Sequence, residues 1–241
     1  MKTGTKSLLF GVHQFLWHPY VVGKAWKMLY GKWPDRYEWV AIITHDLGYW
    51  GLPNVDGPEG IRHPERSMKL AQFAAKWMCK LTWANHFKAA PRDAVVDRMI
   101  RTGILVRHHS RSMVELDNQN PLFRARLSGE LAANSPFINV IGGGTFPSGV
   151  SDEIRNSASS PERRARKMLP SRLCWPDKFS FAFENEGFYL LRARLSGELA
   201  EFRGRAIREG KLPPGSSDSQ WFRGYRAEVC RIPEIQWVLS V

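Results

Sequence analysis

Apolar residues recur at helical spacing over residues 7–30, with aromatic side chains on several faces. The pattern predicts a largely buried first helix, with Pro19 as the place where it can break. Residues 37–46 read as a second helix that ends on the pair His45-Asp46. The stretch from Leu47 through Asp56-Gly57-Pro58-Glu59-Gly60 is rich in glycine, proline and acid, so a loop follows that pair directly. His63-Pro64-Glu65 opens a third helix, since proline is tolerated in the first turn. A fourth starts near Pro91, because Val95/Val96, Met99/Ile100 and Gly103/Ile104 step three to four residues apart toward His108 and His109. Further helices are read at 171–184, 188–208 and 220–230. The fold class is all-α.

Residues 121–170 break this pattern. They hold Gly142-Gly143-Gly144, several serines and prolines, and the basic cluster Arg163, Arg164, Arg166 and Lys167. The composition predicts a surface excursion, partly disordered, inserted into one domain spanning residues 1–241, with 210–241 as a C-terminal extension. The glycine triplet lacks the Lys-Ser/Thr of a phosphate loop. The string RARLSGELA occurs twice, at 124–132 and 192–200. Two copies are too few for a solenoid. They read either as a recent duplication accompanying the insertion or as a duplicated helix on a basic surface.

Composition narrows the setting. An apolar fraction of 43% in 241 residues supports a sizeable core. The net charge of +12, heaviest over residues 61–120, attracts anions such as nucleotides, nucleic acid or lipid headgroups and fixes the sign of a ligand better than its identity. Cys79, Cys174 and Cys230 are odd in number and far apart, which fits a reducing cytosol and no disulfide or zinc-knot framework. Cys174 reads as a buried thiol. The early apolar stretch is interrupted by His13 and His18 and has no small-residue processing site, and no segment approaches the roughly 18 apolar residues of a membrane span. A cytoplasmic protein that does not use a membrane is expected.

Histidines carry the candidate chemistry. His13, His18, His45-Asp46, His63 and His108-His109 occupy places where a metal site could use them, whereas His86 does not. Asp177, in Cys174-Trp175-Pro176-Asp177-Lys178, could close the coordination sphere from a separate helix. Imidazole and carboxylate together suit first-row divalent metals such as Mn, Fe, Zn, Co or Ni. His13 and His18, five apart, point to different sides of a helix, so one is expected to be a ligand, with His18 favoured and His13 supporting it or packing in the core. Asp56 and Glu59, and less so Glu65, are candidates for acid or base work beside the metal. Arg107 and Arg111, four apart, could clamp a substrate phosphate, with Arg62 and Arg66 as weaker candidates. Glu184 and Glu186 read as surface acids.

A histidine, an adjacent His-Asp pair at the end of an apolar helix and a distant aspartate resemble the HD superfamily of metal-dependent phosphohydrolases. The resemblance covers residues 8–120 and 171–205, and THDLGYWGLPNVDGPEG, HPE and HHSR look like small HD proteins of bacteria and phages. It implies an HD-domain-like helical bundle and one or two divalent cations, magnesium included. These would be held by His18 or His13, His45, Asp46 and Asp177, with Asp46 able to bridge to a second cation. His63 and His108 or His109, with His109 favoured by the HSR string, resemble the histidines that complete a binuclear site. The reaction implied is attack of a metal-activated water on phosphorus, with catalytic parts for Asp46, Asp56 and Glu59.

The expected substrate is a phosphate-bearing small molecule, namely a nucleotide or related ester or anhydride. Three other readings stay open on sequence alone. One is a non-catalytic nucleotide-binding protein on an HD scaffold, one is nucleic-acid binding through the basic segments, and one is oxygen chemistry at a di-iron centre.

Overall fold

A computed structural model describes residues 1–84, 92–119, 170–233 and 235–236. His86, the glycine triplet, the basic cluster and the first RARLSGELA copy lie outside the described residues. So does the expected surface excursion apart from Pro170. All regular structure among the described residues is helical. The chain divides into two units, 1–113 with 170–241, and 114–169, and of the second only residues 114–119 are described.

Helix α1 spans Thr3–Phe10 and α2 spans Trp17–Tyr30. The expected single helix over 7–30 is therefore broken, at Gly11 to Leu16 and not at Pro19. Proline stands third in α2, where the missing N–H has no intrahelical partner to lose. Helix α3, Arg36–Thr44, begins at a capping box in which Asp35 accepts from the Tyr37 and Glu38 amides and Glu38 accepts from the Asp35 amide. It stops one residue short of His45, so His45 and Asp46 occupy the turn that leaves the helix. Short 3-10 turns at Leu47–Tyr49 and Gly60–Arg62 bracket the loop that follows.

Helix α4 runs from His63 to Ala84, α5 from Arg92 to Arg107 and α6 from Arg111 to Gln119. After residue 170, α7 spans Cys174–Ser180, α8 Glu186–Ser196, α9 Glu198–Arg208 and α10 Asp218–Cys230. The expected helix over 188–208 is two helices. Gly197 divides them at φ 89°, a left-handed conformation that costs other residues strain.

Two core clusters position the site. Val22, Trp26, Ala41, Ile42, Ala71, Val106 and Leu173 bury α2, α3, α4 and α5 against the start of α7. Leu8, Tyr49, Phe181, Tyr189, Leu190, Trp221 and Phe222 join α1, α8 and α10. Thus α10, within the segment read from sequence as a C-terminal extension, contributes two buried aromatic anchors of its own, Trp221 and Phe222. The chain re-enters at Ser171, whose amide donates to the His108 carbonyl at 2.9 Å and whose hydroxyl donates to the Leu105 carbonyl at 2.6 Å. That attachment sets α7, and with it Asp177, beside the end of α5. No helix among the described residues is long and apolar enough to cross a membrane.

Candidate metal centre

Five segments of different helical origin deliver the cluster. His18 comes from the first turn of α2, His45 and Asp46 from the turn after α3, His63 from the start of α4, His109 from the turn after α5, and Asp177 from α7. The loop after Asp46 is fixed to α4, since the Gly48 amide donates to Ser67 Oγ at 2.8 Å and the Tyr49 ring stacks on His63 with centroids 3.7 Å apart. Only glycine permits this approach at 48, because a Cβ there would lie 2.1 Å from the His63 carbonyl oxygen.

Asp46 stands between two groups of ligand atoms, His18–His45–Asp46–Asp177 and Asp46–His63–His109, each drawn together within 4.8 Å. Its Oδ2 lies 3.1 Å from His45 Nε2 and 3.2 Å from His18 Nε2. Its Oδ1 lies 3.4 Å from His63 Nε2 and 3.8 Å from His109 Nε2. Asp177 Oδ1 closes the first group at 3.1 Å from His18 and 3.4 Å from His45. One carboxylate therefore turns an oxygen toward each group.

The arrangement fits a cation better than a hydrogen-bond network. Nδ1 of His45 lies 2.6 Å from the Ile42 carbonyl, Nδ1 of His63 lies 2.8 Å from that of Gly60, and His109 Nδ1 meets that of Val106. A carbonyl can only accept, so each Nδ1 carries a proton, and once Nε2 is deprotonated each ring turns a lone pair into the cluster. There the nitrogens crowd one another, His18 against His45 and His63 against His109, each pair at 3.2 Å. Asp46 Oδ2 is buried with no aligned hydrogen-bond donor despite the two imidazole nitrogens beside it. Converging lone pairs and a buried carboxylate oxygen are what a divalent ion satisfies. These buried residues could hold a metal ion.

Charge in the metal-free cluster points the same way. Burial favours neutral imidazole, yet at His45 it is outweighed by Asp46 and Asp177, and at His18 by Asp177 and Asp46, so both stand above their ordinary 6.5. Burial would raise Asp46, but the charges of His45 and His13 hold it well below its usual range. At Asp177 the hydrogen bonds from His18 and His45 do the same. His109 is pushed down to about 3 by burial together with the charges of His45 and His63, and His63 is lowered by burial. Without a metal, protons on His18 and His45 supply the positive charge that the two aspartates require.

The other sequence candidates scatter. His108 is buried but belongs to neither ligand group, so of the adjacent pair only His109 joins the cluster. Asp56 lines the cavity in front of the cluster and binds Arg205 at 2.7 Å. Glu59 is exposed, accepts from Asn54 at 2.5 Å and does not line the cavity. Arg107 lies 3.6 Å from Glu65 and does not line the cavity. The Arg111 side chain lies outside the described residues, and Arg62 and Arg66 are exposed.

Glu184 corrects the reading of it as a surface acid. It is 5% exposed, 2.8 Å from Arg192 Nη2 and 3.2 Å from Trp17 Nε1. Its short polar context in the sequence gave no sign of the arginine eight residues on.

Residues that sequence reasoning missed line or support the same cavity of about 220 Å³: Lys178, Ser110, Ser112, Tyr49 and Arg205 on its wall, and Glu198 behind it. On α9, Glu198, Glu201 and Arg205 recur at helical spacing. Glu201 accepts from the Val55 and Asp56 amides, while Arg205 binds the Asp56 side chain. That spacing was the available signal, and the repeat obscured it. No family model matches the chain, and neither a curated protein nor a solved structure matches it.

Proposed function

We propose that the chain is a metal-dependent phosphohydrolase with an HD-like site, acting on a nucleotide or a related phosphate ester or anhydride. The observation that carries this reading is Asp46, a buried carboxylate with one oxygen toward His18 and His45 and the other toward His63 and His109. The order His18, His45-Asp46, Asp177, in which the sequence resembles HD phosphohydrolases, supports it. On this reading His18, His45, Asp46 and Asp177 hold one divalent cation, and Asp46, His63 and His109 a second.

Bound cations would lower the pKa of a water and neutralise charge on phosphoryl oxygens. The chain's own residues do the rest. Carbonyl bonds at Nδ1 hold three imidazoles in one tautomer and orientation. Lys178, Ser110 and Ser112 face the cavity with groups that can donate to phosphoryl oxygens, and Asp56 holds Arg205 on its wall. A net charge of +12 favours arrival of an anion.

The test is phosphate release and chromatographic product analysis for the Mn²⁺-loaded protein with nucleoside mono- and triphosphates and cyclic dinucleotides, beside Asp46→Ala. Turnover of at least one class, lost in Asp46→Ala, is expected. A fully metal-loaded protein that turns over none of them overturns the reading and leaves binding or oxygen chemistry.

A further inference from the structure

Helix α4 meets α3 and α5 largely through small residues and leaves large apolar ones outside. Ser67, Ala71, Ala75 and Cys79 are buried on its inner side. Leu70, Phe73, Trp77 and Leu81 are 44% to 63% exposed. At about 100° per residue these four fall within an arc of about 80°, which makes them one row along the helix. The Phe73 and Trp77 rings meet edge to face with centroids 6.3 Å apart. Single exposed apolar residues are ordinary, but a row of large ones marks a surface that meets something other than water.

One border of that row is basic. Lys69 and Lys80 are exposed and Lys76 is half-buried, and the same helical geometry sets the three along one edge. Arg66 is exposed at the N-terminal end, and the Lys80 ammonium lies 5.9 Å from the Trp77 ring. The one acid of α4 is Glu65, in the first turn, where it faces Arg107. Large apolar residues bordered by lysines suit the boundary of a bilayer, where acyl chains take up the former and anionic headgroups meet the latter. A second α4 would bring no acid to the lysines. Single-stranded nucleic acid would meet them and could stack on Phe73 and Trp77, but Leu70 and Leu81 present no ring face to a base.

We infer that α4 docks the chain on the surface of an anionic phospholipid bilayer, with Leu70, Phe73, Trp77 and Leu81 entering the headgroup boundary and Lys69, Lys76 and Lys80 meeting the lipid phosphates. The helix lies on the bilayer and does not cross it, since none of the helices among the described residues is long and apolar enough to do so. The sequence expectation that no membrane is used rested on span length, which a helix lying on a surface does not need. Docking of this kind is independent of the metal centre.

The test is flotation of the full chain with vesicles of phosphatidylcholine and phosphatidylserine, beside vesicles of phosphatidylcholine alone, with circular dichroism of every variant. The parent should bind the mixed vesicles and bind the neutral ones at least about tenfold more weakly. Phe73→Ser/Trp77→Ser should weaken binding to the mixed vesicles by about tenfold or more. Lys69→Gln/Lys76→Gln/Lys80→Gln should do the same. Lys2→Gln/Lys24→Gln/Lys27→Gln takes the same charge from exposed lysines elsewhere and should change binding less than about threefold.

Equal binding by the parent and Phe73→Ser/Trp77→Ser overturns the inference, as does equal weakening by the two lysine triples, because either leaves only the general attraction of a basic chain. Where Phe73→Ser/Trp77→Ser does not fold, the two lysine triples decide, a loss confined to the α4 triple supporting the inference and an equal loss overturning it. A parent that floats with neither vesicle also overturns it. Sedimentation velocity and binding of a single-stranded oligonucleotide then assign the row, to self-association if the parent is a dimer that Phe73→Ser/Trp77→Ser dissociates, or to nucleic acid if the same change abolishes oligonucleotide binding.

Discussion

Replacing Asp46 by alanine removes the carboxylate that both ligand groups share. The groups are assembled from α2, the turn after α3, the start of α4, the turn after α5 and α7, which meet only in the folded chain. A cation held among them adds its binding free energy to folding. For one site the gain is about 2.7 kcal/mol at a free concentration one hundred times the dissociation constant. In a chain of 241 residues, each kcal/mol moves the unfolding midpoint by about 2–4 °C, so saturating Mn²⁺ should raise the parent's Tm by about 5–10 °C. Asp46→Ala should gain less than about 2 °C over its own metal-free form. Asp97→Asn, a change to an exposed acid paired with Arg101 on α5, should follow the parent. Calorimetric melts across a Mn²⁺ titration give the comparison. An Asp46→Ala curve that tracks the parent at every Mn²⁺ concentration would refute the reasoning.

Asp177→Asn should lose part of the same Mn²⁺-dependent gain, because one oxygen facing His18 and His45 becomes neutral; a gain equal to the parent's would remove Asp177 from the centre. Gly48→Ala should destabilise the metal-free protein by about 1–3 kcal/mol in urea unfolding and weaken Mn²⁺ binding, since its Cβ would push on the His63 carbonyl and Ser67 Oγ; stability unchanged from the parent would contradict the close approach. Arg192→Leu leaves Glu184 buried beside Trp17 without its ion-pair partner and should cost about 3–5 kcal/mol, and a loss below about 1 kcal/mol would show that Glu184 is solvated. In EDTA, stability should peak near pH 6.5. Stabilisation from the raised His13, at about 9, and from His18 and His45 is complete below 6.5 and fades as pH rises through their folded values. The lowered His109, at about 3, and His63 penalise folding below 6.5, where the unfolded chain takes up protons first. A Tm that climbs steadily to pH 9 would contradict those shifts.

Local chemistry was legible in the sequence. Pro64 in a first turn, the apolar steps of α5 and the Gly/Pro-rich stretch after Asp46 each carry their cause within a few residues, and they placed most helices and the His-Asp turn. Of the candidate ligands, His45, Asp46 and His63 were readable because the pattern ends one helix on the His-Asp pair and starts another at His63, whereas His18 and Asp177 lay inside expected helices and were marked by residue type and by the resemblance. Choosing His109 over His108 was less secure, since two adjacent residues leaving a helix differ only in direction, and the Val106 carbonyl that orients His109 is a feature of the folded turn. Glu184 and Glu198 were not legible. Their burial depends on Arg192, Trp17, Ser7 and His13, which are distant in sequence or look solvent-facing by residue type. The break at Gly197 was hidden for a similar reason, because a lone glycine within a helical pattern also occurs in unbroken helices.

The most direct test of the Asp46-bridged centre is the Mn²⁺ stoichiometry of the purified chain by titration calorimetry, beside the double variant His63→Ala/His109→Ala. Two cations per parent chain and one per double variant are the expected result, because removing the second group leaves His18, His45, Asp46 and Asp177 intact. A parent that takes up no cation, or a double variant that still binds two, would contradict the account.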